Sequence, residues 1–91
     1  AHSPLLRATR AGMLRNVCVA LGNWASLDAL PALAVALDDA QAAARGHAAW
    51  ALGQVGRTHG METAAPCLRT RLSLEDDTWV RNEIAAALAA D

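Results

Sequence analysis

Apolar residues recur along this chain at helical spacing, and one arrangement of them comes three times. Val17-Cys18-Val19-Ala20-Leu21-Gly22, Ala48-Ala49-Trp50-Ala51-Leu52-Gly53 and Ile84-Ala85-Ala86-Ala87-Leu88 superpose on Leu21, Leu52 and Leu88 at spacings of 31 and 36 residues. The superposition also brings Val17, Ala48 and Ile84 into register one helical turn earlier. Between these copies lie Asp28-Ala29-Leu30-Pro31-Ala32-Leu33 through Leu37 and Thr63-Ala64-Ala65-Pro66-Cys67-Leu68 through Leu72, which match each other at an offset of 35. In both, an N-cap candidate (Asp28, Thr63) stands three residues before a proline. Each proline then falls in the first turn, where its missing N–H has no intrahelical partner to lose.

Other punctuation extends this pattern. Ser3-Pro4 opens a short helix, and Gly22-Asn23 closes the first inner one. Asp38-Asp39 and Asp76-Asp77 precede the next two inner helices, where carboxylates satisfy free N–H groups, and Gly56 and Gly60 bracket the exit from the second. Helices are therefore predicted at 4–9, 12–22, 28–37, 41–55, 62–73 and 78–90. Alternating outer and inner helices with short links predict an all-α, right-handed α-solenoid of about two and a half repeats, forming a single domain over 1–91. A closed four-helix bundle differs in requiring the first and last helices to touch. A self-sufficient stack takes about three repeats, so the chain is expected to be the C-terminal part of something longer. The expected core is Leu14, Val17, Leu21, Leu30, Leu33, Leu37, Ala48, Leu52, Val55, Leu68, Leu72, Val80, Ile84 and Leu88.

Composition reinforces the helical reading. The 91 residues include 23 Ala and 13 Leu against one Ile, no Phe and no Tyr, which suits thin layers between closely approaching helices and disfavours a β-sandwich or barrel. No run approaches the length of a membrane span and no signal-peptide pattern opens the chain, so a soluble, cytoplasmic domain is expected. All eight basic residues are Arg, and the net charge of -1 hides blocks of alternating sign. Such blocks make either a phosphate-binding face or ordinary solvated surface.

No catalytic constellation is present. His2, His47 and His59 are scattered, the acidic pairs sit where helix caps are wanted, and no phosphate loop or dinucleotide fingerprint occurs. Cys18 and Cys67 read as buried apolar thiols. The informative positions lie on the inner helices. Arg45 and Arg81 share one repeat position, where Arg either bridges to carboxylates of the neighbouring repeat, with Asp38, Asp39, Asp76 and Asp77 as candidates, or meets a ligand. Arg15, one position later in register and without an acidic neighbour in its segment, is the stronger candidate for a partner. Asn16 and His47 are equivalent, with Glu83 in the last copy. Gly46 costs about 1 kcal/mol relative to Ala inside a helix, which implies close approach of a neighbouring helix or of a partner. Trp50 and Trp79 stand close to arginines and could stack on unpaired bases, or fill gaps between repeats.

The repeats resemble short HEAT-like units also found in phycobilin lyases, and particular words point to a narrower family. Ser3-Pro4-Leu5 through Arg10, Leu14-Arg15-Asn16-Val17 to Gly22-Asn23, the run Arg45-Gly46-His47-Ala48-Ala49-Trp50-Ala51-Leu52-Gly53, and Trp79-Val80-Arg81 together resemble the C-terminal tail of bacterial epoxyqueuosine reductases. These are iron-sulfur and cobalamin proteins of queuosine synthesis, in which cobalamin-binding and ferredoxin-like parts precede a helical tail that helps hold the transfer RNA (tRNA). Cys18 and Cys67 do not match the clustered Cys-x-x-Cys-x-x-Cys motifs of the ferredoxin-like part, so no cofactor is expected on this chain itself. The resemblance implies the tRNA anticodon stem-loop as partner, with Arg15, Asn16, Arg45, His47, Trp50 and Arg81 as candidate contacts. A generic HEAT-like scaffold for protein partners is the alternative. A face around Leu5, Leu6 and Met13 is expected to be exposed where upstream domains would meet it.

Overall fold

A computed structural model describes the backbone of residues 4–89 and the side chains of residues 10–89. The described residues form five α-helices: α1 (Pro4–Trp24), α2 (Leu30–Leu37), α3 (Ala42–His59), α4 (Ala65–Leu74) and α5 (Thr78–Leu88). A 3₁₀ turn precedes each outer helix, at Leu27–Ala29 before α2 and Met61–Thr63 before α4. The expected N-caps are displaced by these turns. Ser26 accepts the Asp28 N–H, and Thr63 donates its hydroxyl to the Gly60 carbonyl, so that Ala29 and Ala64 hold the N-cap positions and Pro31 and Pro66 still fall in the first turn.

The helices expected at 4–9 and 12–22 are one continuous element, α1. A lone Gly12 between good helix formers costs about 1 kcal/mol, too little to end a helix without a proline beside it. Ser3, expected to cap it, lies outside the described residues. At its far end α1 runs past Gly22 to Trp24 and closes on Ala25, whose φ of 51° places an alanine in the left-handed region. Likewise α3 continues through Gly56 to His59 and stops at Gly60, where φ is 106° and only glycine is at ease.

The helices form two layers. α3 receives α1 on one side and α5 on the other, while α2 covers its remaining face and α4 packs chiefly on α5. α1 and α5 are thereby kept apart by α3, which distinguishes the open stack from a closed bundle. The thinnest extent of 17 Å holds two layers of helices and no more. This is an all-α solenoid.

The close approach of inner helices is written into the repeated Ala-Leu-Gly word. A Cβ placed on Gly22 would stand 3.0 Å from the Ala51 Cα, and one on Gly53 would stand 3.0 Å from the Ala87 Cβ. Ala51 and Ala87 precede the superposed Leu52 and Leu88, while Gly22 and Gly53 follow Leu21 and Leu52. The glycine of each inner helix therefore receives the alanine of the next.

The core matches expectation at Leu33, Leu37, Ala48, Leu52, Val55, Leu68, Val80 and Ile84, all buried. Leu14, Leu21, Leu30, Leu72 and Leu88 are only half-buried. Val17, equivalent by register to buried Ala48 and Ile84, is 51% exposed; Cys18 points inward instead. The reason is topological: α1 has an inner neighbour on one side only among the described residues, so the face that α3 presents to α1 stands open on α1 itself. Met13, also expected to be exposed, is 64% so; the Leu5 and Leu6 side chains lie outside those described.

Candidate functional site

The side of α3 turned away from α2 and α4 carries His47, Trp50 and Gln54, all half-buried, with exposed Arg57 and Thr58 beyond them. These residues fall at i, i+3, i+7 and i+10 or i+11, a single helix face. Arg15 and Asn16 are exposed on α1, and Trp79 and Asn82 are exposed on α5 with half-buried Glu83. The two tryptophans expected to stack or to fill gaps both lie over glycines: Trp50 meets Gly22, and Trp79 covers Gly46 so closely that a Cβ there would penetrate its ring. Gly46 thus serves the approach of a neighbouring helix. Trp79 remains 44% exposed and meets His47 edge to face, with ring centroids 5.6 Å apart and planes at 71°.

Burial and, secondarily, the positive charge of Arg15 push the His47 imidazole below its ordinary pKa of 6.5, and Glu83 acts in the opposite direction. His47 is accordingly neutral near pH 7, with one ring nitrogen free to donate and the other to accept. Arg15, His47, Trp79 and Glu83 are electrostatic or direct neighbours drawn from all three inner helices. Among the described residues Arg15 has no hydrogen-bond or ion-pair partner.

Arg45 and Arg81 do not join this group. They sit on the side of their helices that faces the outer layer. Arg45 donates Nε and Nη2 to the two carboxylate oxygens of Glu75 at 2.7 and 2.9 Å, and Nη1 to the Asp39 and Ala40 carbonyls at 2.9 and 3.1 Å. Arg81 donates Nη1 to the Leu72 and Glu75 carbonyls at 3.0 and 2.8 Å. Arg81 thereby grips the end of α4, where free carbonyls attract a cation, and Arg45 holds the link that follows α2.

Glu75 is not among the carboxylates expected to brace these arginines, yet it is the centre of the arrangement. Its side chain is fully buried, accepting from Arg45, from Arg71 Nε at 3.1 Å and from the Asp77 N–H at 3.1 Å. The Arg45 hydrogen bonds, outweighing the opposing effect of burial, hold its pKa down from 4.5 to about 2. Asp77 alone acts as the expected cap, accepting the Val80 N–H. Asp39, instead of capping α3, accepts the Gln41 N–H and pairs with Arg10 at 2.7 Å, while Asp38 reaches Arg71 only at 3.5 Å. Gln41 holds the α3 N-cap position without a side-chain bond. The signal that could have found Glu75 is the spacing of 36 between it and Asp39, each standing two residues before the N-cap of an inner helix.

Cys18 in α1 is buried and Cys67 in α4 half-buried; burial raises the pKa of both thiols. The two do not converge with other ligands, and among the described residues no group of three His, Cys, Asp or Glu side chains could hold a metal ion. No described helix is long and apolar enough to cross a membrane.

No match was found among curated proteins or among solved structures. The family profile for HEAT repeats matches residues 3–89, the full span of both layers. With its paired helices, its repeated glycine-to-alanine contacts and this match, the chain belongs to the HEAT-repeat family.

Proposed function

We propose that this HEAT-repeat domain holds RNA on the face shared by α1, α3 and α5, as the C-terminal module of a cytoplasmic epoxyqueuosine reductase that binds the tRNA anticodon stem-loop. The observation that carries the reading is Arg15, without a partner among the described residues, close to neutral His47 and the half-open Trp79 ring, with exposed Asn16 next to it on α1 and Trp50 one turn from His47 on α3. A guanidinium supplies phosphate contact, and adjacent rings and amides suit unstacked bases. Arg45 and Arg81 serve this face indirectly by fixing the helices that display it. On this reading the iron-sulfur clusters and cobalamin belong to upstream parts, and the reduction itself involves none of the described residues.

Arg15→Ala is expected to weaken binding of an anticodon stem-loop RNA and to reduce the magnitude of the salt-dependence slope by about 0.7 to 0.9 for each phosphate that Arg15 neutralises. Its melting temperature should stay that of the parent chain. A folded Arg15→Ala protein with unchanged affinity at every salt concentration removes Arg15 from the interface. A parent chain that binds no RNA at low salt favours the protein-scaffold reading, for which the open apolar stripe Met13, Val17, Ala20 and Trp24 on α1 speaks.

A further inference from the structure

Two arginines on successive inner helices are each clasped by a carboxylate from the following link. Arg10 on α1 makes a two-pronged pair with Asp39, at 3.2 and 2.7 Å, and Arg45 on α3 does the same with Glu75. Both carboxylates also accept the N–H two residues further on, from Gln41 and Asp77. The device is a repeat-to-repeat latch.

Arg81 on α5 stands 36 residues after Arg45 and reproduces half of its contacts. Each guanidinium holds its Nη1 on two carbonyls of the preceding outer helix and link. On Arg45 the remaining edge, Nε with Nη2, is filled by Glu75; on Arg81, among the described residues, that edge has no carboxylate. A guanidinium pinned at one end and open along the other is pre-shaped for two-pronged carboxylate binding. Beside it Asn82, Ala85 and Ala89 are exposed, equivalent in register to Gly46, Ala49 and Gly53 of α3, of which Gly46 and Gly53 receive Trp79 and Ala87 of α5. Leu74, 67% exposed, precedes the same link.

We propose that the Arg81 edge of α5 is a docking site for a partner polypeptide whose acidic turn leads into an alanine-rich helix. The carboxylate fills the Nε–Nη2 edge of Arg81, and the helix lies along Asn82, Ala85 and Ala89. The chemistry is that of residues 74–89 of this chain, which make the same engagement with Arg45 and α3. This site is independent of the RNA-binding reading.

The probe is a fluorescein-labelled peptide with the sequence of residues 74–89, titrated with the whole chain and followed by fluorescence anisotropy. Saturable binding is expected, weakened at least tenfold by Glu75→Gln in the peptide or by Arg81→Gln in the protein, the two together costing little more than either. Ala85→Arg, at an exposed position one helical turn beyond Arg81, is expected to abolish binding while leaving the circular dichroism spectrum and melting temperature unchanged. Failure of the parent chain to bind overturns the proposal. So does binding that survives Arg81→Gln, which would mean that the peptide exchanges with α5 at Arg45.

Discussion

Replacing Glu75 with Gln is expected to lower the unfolding free energy by about 3 kcal/mol, a large part of the 5 to 15 kcal/mol typical of a whole domain. The buried carboxylate neutralises Arg45 and Arg71, whose side chains are only 12% and 19% exposed, and accepts the Asp77 N–H at the start of α5. A glutamine amide has one acceptor oxygen to offer where several donors converge, and its NH₂ group faces other donors. The Arg45 guanidinium then stays in a low-dielectric site without its ion-pair partner, and Arg71 keeps only the 3.5 Å contact with exposed Asp38, which is the costly way to break a buried pair. Urea unfolding measures the loss. Arg45→Gln should cost a similar amount, and the double variant clearly less than the sum, because the second substitution removes a group already unpaired. A loss below about 1 kcal/mol for Glu75→Gln would mean that water reaches the latch and screens it.

The same carboxylate gives the domain a defined acid sensitivity. Its folded pKa of about 2 lies below its ordinary 4.5, so the unfolded chain binds the proton more tightly. The stabilisation is therefore fully present above about pH 4.5 and is lost as the pH falls towards 2, amounting to about 3 kcal/mol over that window. Asp39, lowered chiefly by its hydrogen bonds from Arg10, acts in the same direction. Stability profiles of the parent and of Glu75→Gln should converge as the pH drops through this range and stay parallel above it. Parallel profiles throughout would show that the latch does not carry the acid response.

The architecture is legible in the sequence because it repeats. Leu21, Leu52 and Leu88 mark the inner helices, and Pro31 with Pro66 marks the outer ones, since a helix period and a first-turn proline are local signals. Val17 escapes its expected burial for a reason the pattern does not contain: register assigns a face, but the neighbours on that face decide its burial. Helix boundaries near Gly12, Gly22 and Gly56 differ from expectation because glycine's local cost is small beside the packing of a helix that continues through it. Of the candidate site, Arg15, Asn16, His47 and Trp50 lie on a common layer, whereas Arg45 and Arg81 turn to the other side of their helices, a difference of one position that spacing alone could have revealed. Glu75 is hidden among three consecutive acids, Glu75, Asp76 and Asp77, and only its spacing of 36 from Asp39 sets it apart from the other two.

The glycines separate packing from propensity most sharply, since one substitution should act with opposite sign at different sites. Gly12 lies inside α1 with nothing within 4 Å of a Cβ placed there, so Gly12→Ala gains helix propensity without steric cost and is expected to stabilise by about 1 kcal/mol. Gly53→Ala has the same propensity gain, but its methyl would stand 3.0 Å from the Ala87 Cβ and 3.2 Å from the Ala87 Cα. Backbone cannot swing aside as a side-chain tip can, so α3 and α5 must separate by a few tenths of an ångström along their whole seam. Overpacking of this kind costs about 1 to 3 kcal/mol, which leaves a net loss of about 1 kcal/mol after the propensity gain. In a domain of this size each kcal/mol moves the melting temperature by about 4 to 8 °C, so the two variants should part by roughly 10 °C. Gly46→Ala meets the Trp79 ring instead, which is 44% exposed and can be displaced outward. Its signature is accordingly spectroscopic: the Trp79 emission shifts to the red and the His47 pKa rises towards 6.5 as the ring that helps to bury the imidazole moves away. If Gly53→Ala stabilises as much as Gly12→Ala, the α3–α5 seam has slack and the recurrent glycine of the Ala-Leu-Gly word is not there to admit the next helix.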